Sequence, residues 1–169
     1  MTVATVYTTM ESPLGRLLLS GVPDGAGGVA LRSVTAPGQK GAPEGPADGW
    51  VADDAAFGEV VVQLDAYFAG ERTDFELALD PEGSDFRRAI WAALAEIPYG
   101  ETVTYGELGA MAGQPPTAVR AVGGAVGANP LLVILPCHRV LGANGAMTGF
   151  AAGVERKRQL LALERGSLF

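Results

Sequence analysis

One cysteine and one histidine, each the single residue of its type, stand side by side in this sequence and are the residues best suited to covalent chemistry. They lie in the segment Pro136-Cys137-His138-Arg139. A cysteine reacts as its thiolate, and a histidine, whose pKa lies near neutrality, is well suited to take the thiol proton. Taken alone, a cysteine after a run of apolar residues is most often a small buried hydrophobe. Cys137 is therefore either core filling or a working thiol.

The composition excludes several kinds of site. One cysteine cannot form an internal disulfide, and one cysteine with one histidine offers too few ligands for a structural zinc ion. The sequence therefore predicts no metal site. The longest uninterrupted apolar runs, residues 89–95 and 131–135, are too short to span a bilayer. We expect a cytoplasmic protein with no membrane partner.

The acidic charge is concentrated in the first half of the chain. The net charge is −7, but residues 1–80 hold four Lys/Arg against twelve Asp/Glu, while residues 81–169 hold eight against seven. A surface that binds nucleic acid is then expected in the second half. Because that half is nearly neutral, its non-specific affinity for phosphates should be modest and sensitive to salt.

The hydrophobic pattern of the first half predicts a small sheet with a helix. A turn at Ser12-Pro13-Leu14-Gly15 joins the first two strands. The predicted elements are two strands within residues 3–20, a third strand at 29–34, a Pro- and Gly-rich loop at 36–54 and an amphipathic helix at 55–68, ended by Gly70. A polar turn at residues 80–83 marks the boundary between a domain at 1–80 and another at 81–169.

The second half is predicted to be mostly helical, which makes the fold class α+β. Its first helix has Ser84 or Asp85 as its N-cap, and residues 98–100 end it. An apolar strand then leads into the Pro-Cys-His-Arg segment. Adjacent side chains on an extended segment point to opposite faces, so His138 should reach the Cys137 sulfur only through a bridging water.

Two short helices between these elements form a candidate helix-turn-helix. Thr104 and Glu107 form the capping box of the first, which Gly113 ends, and the second runs from residue 116 to about 127. As a bare pattern this signal is weak, because many small helical domains contain such pairs.

The second of these helices carries Arg120 among residues that are nearly all small. Each internal glycine costs a helix about 1 kcal/mol relative to alanine, so something must approach this backbone closely. Close helix packing and insertion into a narrow groove remain equally open explanations. The small residues are Ala118, Ala121, Gly123, Gly124, Ala125 and Gly127.

Three motifs carry a resemblance to a known family: Arg120-Ala121-Val122-Gly123, Asn129-Pro130 and Pro136-Cys137-His138-Arg139-Val140. Together they resemble the active-site signature of the O6-alkylguanine-DNA alkyltransferases, also called methylated-DNA-protein-cysteine methyltransferases. The resemblance extends from about residue 85 to 164, and the acidic first half is similar to the family's variable, ribonuclease H-like N-terminal domain. It implies a winged-helix-like DNA-binding and alkyl-acceptor domain at 81–169.

The resemblance implies a role for each residue around the thiol. Cys137 corresponds to the alkyl acceptor, and His138 to the base that acts through water. Glu164 corresponds to the carboxylate that orients this histidine. Asn129 corresponds to the asparagine that braces the segment before the active site.

Further roles are implied for the DNA and for the base. Arg120 corresponds to the arginine that enters the duplex where the target nucleotide has left, and Tyr105 to the tyrosine at its phosphate and base. Val140 should offer a backbone carbonyl to the guanine amine, and Ala151 a backbone N–H to the O6 atom. The remaining implied residues are Ala118, Val119 and Gly123 for DNA and Phe150 and Ala152 for the pocket.

The implied reaction is an irreversible displacement that consumes the protein once and needs no cofactor. O6-alkylguanine in double-stranded DNA, approached through the minor groove by a monomer, is the expected substrate, with O4-alkylthymine as a second. The nucleotide must rotate out of the stack for its O6 atom to be reached. If His138 and Glu164 activate the thiol, the pKa of Cys137 should lie below the free value of about 8.5.

Three residues depart from the family pattern, and three rival functions remain. Phe150 replaces a usual tyrosine, Ala152 a usual glycine, and Val119 a usual small residue; if that glycine has a positive φ, the loop at Ala152 must shift. The rivals are a non-catalytic relative, which would lack Cys137, a helix-turn-helix transcription regulator, and a Cys-His hydrolase with several turnovers. A regulator should offer several base-reading side chains on its second helix, but only Arg120 is available.

Overall fold

The computed structural model describes residues 3–147 and 150–166, and it has a sheet domain followed by a helical domain. This arrangement confirms the predicted α+β class. The sheet contains β1 (Val6–Ser12), β2 (Gly15–Pro23), β3 (Val29–Thr35) and β4 (Val51–Ala52), in the order β3-β2-β1-β4. β1, β2 and β3 are antiparallel neighbours, whereas β4 pairs in parallel with β1.

The turn between β1 and β2 lies where the sequence predicted it. The Ser12 hydroxyl donates to the Gly15 carbonyl over 2.7 Å and accepts from the Leu14 N–H over 3.1 Å. Gly15 has a φ of 108°, a conformation that residues with a side chain rarely adopt. The predicted loop at 36–54 is only partly irregular, because it contains β4, whose two residues are too short to leave a periodic signal.

The helix of the first domain begins slightly later than predicted. A 3₁₀ turn at Asp54–Phe57 leads into α1 (Gly58–Phe68), and Gly70 follows with a positive φ. One face of this segment is buried in the core; its largest fully buried side chains are Phe57, Leu64 and Tyr67. The apolar spacing that predicted the helix therefore also determines which face it buries.

The helical domain contains α2 (Asp85–Leu94), α3 (Tyr105–Met111), α4 (Val119–Gly127) and α5 (Val154–Glu164). Ser84 caps α2 by accepting from the Arg87 N–H. The predicted capping box of α3 is present, with the Thr104 hydroxyl accepting from the Glu107 N–H and the Glu107 carboxylate accepting from the Thr104 N–H. A 3₁₀ turn at Pro116–Ala118 precedes α4.

Short strands and backbone hydrogen bonds complete the framework. β5 (Val103–Thr104) pairs in parallel with β6 (Val140–Leu141), which directly follows a 3₁₀ turn at Cys137–Arg139. The sheet and helical domains are joined where the Val34 N–H donates to the Pro130 carbonyl over 2.8 Å and the Leu132 N–H donates to the Val34 carbonyl over 3.0 Å. Within the described residues, no helix is both long and apolar enough to cross a membrane.

Candidate active site around Cys137

Cys137 is 6% exposed and begins the 3₁₀ turn at Cys137–Arg139. Asn129 braces the segment that leads to it. The Asn129 amide donates to the Leu135 carbonyl over 2.9 Å and accepts from the Leu131 N–H over 2.9 Å, so one side chain ties both ends of residues 131–135. The position of the thiol therefore depends on a buried amide placed eight residues earlier in the chain.

The predicted strand at residues 131–135 is wrong. Leu131 makes only an isolated bridge with Val34, and the chain then turns. Val133 has a φ of 72°, an unusual conformation for a β-branched residue. A short apolar run has the same sequence pattern in a buried strand and in a buried turn, which explains the error. Cys137 and His138 lie in a 3₁₀ turn, so the alternation of side chains along an extended segment does not apply to them.

His138 is fully buried, and its two ring nitrogens have different environments. Nε2 lies 2.6 Å from the Glu164 Oε2 atom at the end of α5. Nδ1 has no hydrogen-bond partner among the described protein groups. Because an ionised carboxylate only accepts hydrogen bonds, Nε2 carries the proton and Nδ1 presents its lone pair. The neutral imidazole is thus oriented as a base.

The Glu164 carboxylate receives donors from several parts of the fold. Arg139 donates from Nε to Oε1 over 2.8 Å and from Nη2 to Oε2 over 3.0 Å. The Tyr67 hydroxyl of α1 donates to Oε2 over 2.6 Å, and the Gly100 N–H donates to Oε1 over 3.2 Å. Although burial opposes ionisation, hydrogen bonds from His138, Arg139 and Tyr67 hold the pKa of Glu164 far below its usual range.

Burial dominates the electrostatics of the thiol. It raises the pKa of Cys137 from 9.0 to about 11, against the opposing effects of a hydrogen bond from Asn129 and the charge of Lys157. The predicted thiol pKa below 8.5 is therefore wrong for this structure. Burial also lowers the pKa of His138 below 6.5, although the hydrogen bond to Glu164 raises it. Thiol and imidazole are both neutral at neutral pH.

Lys157 is a buried cation beside this site that the sequence analysis missed. Its Nζ atom donates to the Val140 carbonyl over 2.6 Å and lies 5.7 Å from the Phe150 ring centroid. Burial lowers the pKa of Lys157, while its electrostatic interaction with Cys137 opposes this shift. The Val140 carbonyl, expected to face a guanine amine, thus already accepts one hydrogen bond, which leaves its second lone pair.

A small cavity of about 10 Å³, the space of roughly one water molecule, adjoins Cys137. Ala152 is buried and lacks a positive φ, so the replacement of glycine needs no backbone strain there. Phe150 is half-buried and retains its packing role. The described lining residues are Gln39, Tyr105, Val126, Gly127, Asn129, Leu132, Cys137, Phe150, Ala151 and Ala152.

The outer face of α4 is open. A Cβ atom placed on Gly124 or Gly127 would meet no atom within 4 Å, and one on Gly123 would meet only Tyr105 at 3.9 Å. Close packing inside the protein therefore does not require these glycines. Arg120 is exposed on the same helix, as is Val119 at 44%. Ala118, half-buried, lies in the turn before them.

Arg139, Tyr67 and Lys157 are the site residues that the sequence analysis did not single out. Arg139 lies inside the recognised motif, but nothing in the sequence places it against Glu164. Tyr67 belongs to a helix 97 residues away from its partner. Lys157 did leave a signal, because it shares the buried face of α5 with Leu160 and Leu161, and a lysine in an apolar stripe indicates a buried cation.

Fold and site together define a class: a two-domain α+β protein with a buried thiol beside a histidine–carboxylate pair and a helix-turn-helix. Family models describe both halves of the chain. The model of the 6-O-methylguanine DNA methyltransferase ribonuclease-like domain matches residues 5–81. The model of the 6-O-methylguanine DNA methyltransferase DNA binding domain matches residues 85–166.

Individual relatives agree with these models over nearly the whole chain. Methylated-DNA--protein-cysteine methyltransferase of Methanosarcina acetivorans is 48% identical over 94% of this chain and 97% of its own. The protein of that name from Mycolicibacterium paratuberculosis is 46% identical, over 94% and 92%. The crystal structure of Mycobacterium tuberculosis OGT in complex with DNA superimposes with a TM-score of 0.85 at 46% identity, covering 95% of this chain and 92% of that one. The chain belongs to the 6-O-methylguanine DNA methyltransferase family.

Proposed function

We propose that this protein repairs DNA by transferring an alkyl group, methyl in the simplest case, from the O6 atom of guanine to its own Cys137. The names of its relatives and a DNA complex of one of them support this function. The observation that carries it is a buried thiol that adjoins a cavity and precedes a histidine whose unpartnered nitrogen presents a lone pair. The expected targets are O6-alkylguanine and O4-alkylthymine.

The transfer is a displacement at the alkyl carbon. His138 Nδ1 takes the Cys137 proton through a bridging water, while Glu164 accepts a hydrogen bond from Nε2 and stabilises the imidazolium. The sulfur forms a bond to the alkyl carbon as the carbon–O6 bond breaks. The electron pair remains on the guanine, which takes up a proton. A thioether results, so each molecule acts once and needs no cofactor or metal.

The raised thiol pKa determines when the proton moves. At about 11 it leaves little thiolate at neutral pH, so deprotonation has to accompany the reaction. The hydrogen bond from Asn129 and the charge of Lys157 both favour the thiolate that forms. These groups are already in position before the charge develops, which is the arrangement that lowers a reaction barrier most effectively.

Duplex DNA is the proposed partner of α3 and α4, bound through the minor groove by a monomer. Arg120 fills the place of the extruded nucleotide, because a planar guanidinium can stack and pair with the remaining base. Tyr105 supports the displaced nucleotide. The small residues Ala118 and Gly123 let the duplex approach, and Val119 lies at its edge. We infer a ribonuclease-like domain at 1–80 and a DNA-binding and acceptor domain at 81–169.

Ala151, Ala152, Phe150 and Val140 are the proposed walls of the base pocket. The Ala151 N–H is assigned to the O6 atom, and the remaining lone pair of the Val140 carbonyl to the guanine amine. A cavity the size of one water molecule cannot hold a guanine, so these walls have to separate when the base enters. The C-terminal domain thus supplies both the acceptor and most of the pocket.

The test is incubation with a duplex oligonucleotide that contains one O6-methylguanine, followed by intact mass and peptide mapping. The wild-type protein should gain one methyl group, on Cys137. Cys137→Ser should gain none while keeping its affinity for the duplex, because the substitution removes the acceptor and little volume. A methyl group on another residue, or release of more than one product per protein molecule, would overturn the proposal.

A further inference from the structure

The cavity beside Cys137 has one wall that comes from the N-terminal domain. Of its described lining residues, Gln39 alone belongs to the first half of the chain. Gln39 is 9% exposed, a low value for a polar residue in the loop between β3 and β4. The chain therefore places an amide against the acceptor cavity from outside the domain that performs the proposed chemistry.

Gln39 is held in one conformation. Its side-chain Oε1 atom accepts from the Ala36 N–H over 3.0 Å, and its own N–H donates to the Ala36 carbonyl over 3.2 Å. The next residue, Lys40, donates its N–H to the Ala151 carbonyl over 2.9 Å. This bond attaches the loop directly to Ala151, another residue that lines the cavity.

A second, larger cavity is also lined by Gln39. Its volume is about 360 Å³, and it shares three lining residues with the acceptor cavity, namely Gln39, Gly127 and Asn129. Gly127 has no side chain, and the Asn129 amide is fixed by Leu131 and Leu135. Of the three shared residues, Gln39 is thus the one whose side chain could be shortened without disturbing the brace before Cys137.

We propose that Gln39 is a specificity-determining residue, a partition that limits how large an O6 substituent can be accepted beside Cys137. The proposal rests on the proposed alkyl transfer. A methyl group needs little space next to the sulfur, whereas a benzyl group needs a pocket of its own. Shortening the side chain of Gln39 would join the second cavity to the acceptor cavity and make room for such a group.

The experiment compares single-turnover alkylation rates on duplexes that carry O6-methylguanine or O6-benzylguanine. Gln39→Ala and Gln39→Ser should raise the benzyl-to-methyl rate ratio by about tenfold or more, because a pocket discriminates by such factors for each methylene that it excludes. Gln39→Ser shortens the side chain nearly as much as Gln39→Ala does but keeps a polar group at this position. The ratio is the readout, so a general loss of activity would not mimic the effect.

Two variants separate the volume of the side chain from other effects. Gln39→Met keeps the length of the side chain but loses the bond to Ala36, and it should leave the ratio near the wild-type value. Lys40→Ala shortens an exposed neighbour whose backbone bond to Ala151 persists, and it should also leave the ratio unchanged. An unchanged benzyl-to-methyl rate ratio in Gln39→Ala and Gln39→Ser would overturn the proposed role of Gln39. An equal rise of that ratio in Gln39→Met would overturn it as well. Wild-type protein that alkylates Cys137 with neither duplex would instead overturn the proposed function.

Discussion

At the scale of single residues, Cys137 and His138 are neutral for the same reason, since burial disfavours the charged form of each. An ion pair between them would require two charges to be desolvated before any substrate arrived, which is energetically unfavourable. A neutral thiol is also a poor nucleophile, so the resting protein is protected against unwanted alkylation and oxidation. Reactivity then depends on a substrate that completes the site.

The pH dependence of alkylation should reveal this arrangement. In His138→Gln the amide can still donate to Glu164 but cannot accept a proton, so the thiol has to ionise unaided, against the burial that raises its pKa to about 11 in the wild-type protein. We expect the single-turnover rate at pH 7 to fall by about 10²–10³ and to recover as pH rises toward that pKa. The wild-type rate should be nearly flat over the same range, because the neutral imidazole accepts the proton through the bridging water.

Glu164→Gln is the second variant whose single-turnover alkylation rate should be measured as a function of pH. It removes the charge that stabilises the imidazolium, so its rate should change in the same direction as in His138→Gln, by a smaller factor. Because it also leaves Arg139 buried without its anion, urea unfolding has to show that the variant is folded at each pH. Parallel rate profiles for all three proteins would remove His138 and Glu164 from the mechanism.

At the scale of secondary structure, α4 is built to be approached from outside. Its glycines weaken the helix by about 1 kcal/mol each, and added Cβ atoms at Gly124 and Gly127 would enter open space. Packing within the described part of the protein therefore does not offset this loss of helix stability. A helix that enters a groove explains both facts, and it makes Arg120 the long side chain available to enter the base stack.

Arg120→Ala should separate binding from chemistry. Repair of an O6-methylguanine duplex should fall by about tenfold or more, because extrusion of the nucleotide costs a few kcal/mol that Arg120 no longer offsets. Reaction with free O6-benzylguanine should change little, since the free base needs no extrusion. Arg158→Ala, which removes an exposed arginine of α5, is the matched control and should affect neither rate. Equal losses on both substrates would place Arg120 in folding or in the chemical step.

Local patterns predicted the elements that depend on local interactions. The turn at Ser12, the capping box at Thr104 and the helix that ends near Gly70 each follow from residues within a few positions of one another. The segment 131–135 could not be assigned in this way, because its path depends on the distant partner Val34 and on a buried amide. Its apolar composition reports burial and says little about backbone conformation.

The residues of the candidate site also fall into those that the sequence indicates and those that only the tertiary structure shows. Cys137 and His138 follow from their types and adjacency, and the family resemblance supplied Glu164, Asn129 and Arg120. The contributions of Tyr67 and Gln39 come from the other domain, where no sequence pattern connects them to the thiol. They required the tertiary structure, because long-range contacts depend on how the domains pack rather than on spacing along the chain.

At the scale of the whole molecule, the two domains share one buried polar network. Tyr67 of α1 is fully buried and donates to the carboxylate that orients His138. Hydrogen bonds from Val34 to Pro130 and from Leu132 to Val34 join the sheet to the segment before Cys137. The N-terminal domain thus supports the acceptor site from two directions, and the chain should unfold as a single cooperative unit.

Tyr67→Phe tests this coupling, because it deletes one hydroxyl and almost no volume. A hydrogen bond to a charged group contributes about 1.5–3 kcal/mol, so we expect the free energy of unfolding in urea to fall by that amount in a single transition. Tyr7→Phe is the matched control, since Tyr7 lies on β1 against Trp50, far in the sequence from the network, and should change stability less. Wild-type stability in Tyr67→Phe would show that Glu164 does not depend on the Tyr67 hydroxyl. Separate transitions for tryptophan fluorescence and far-UV circular dichroism would show that the domains fold independently.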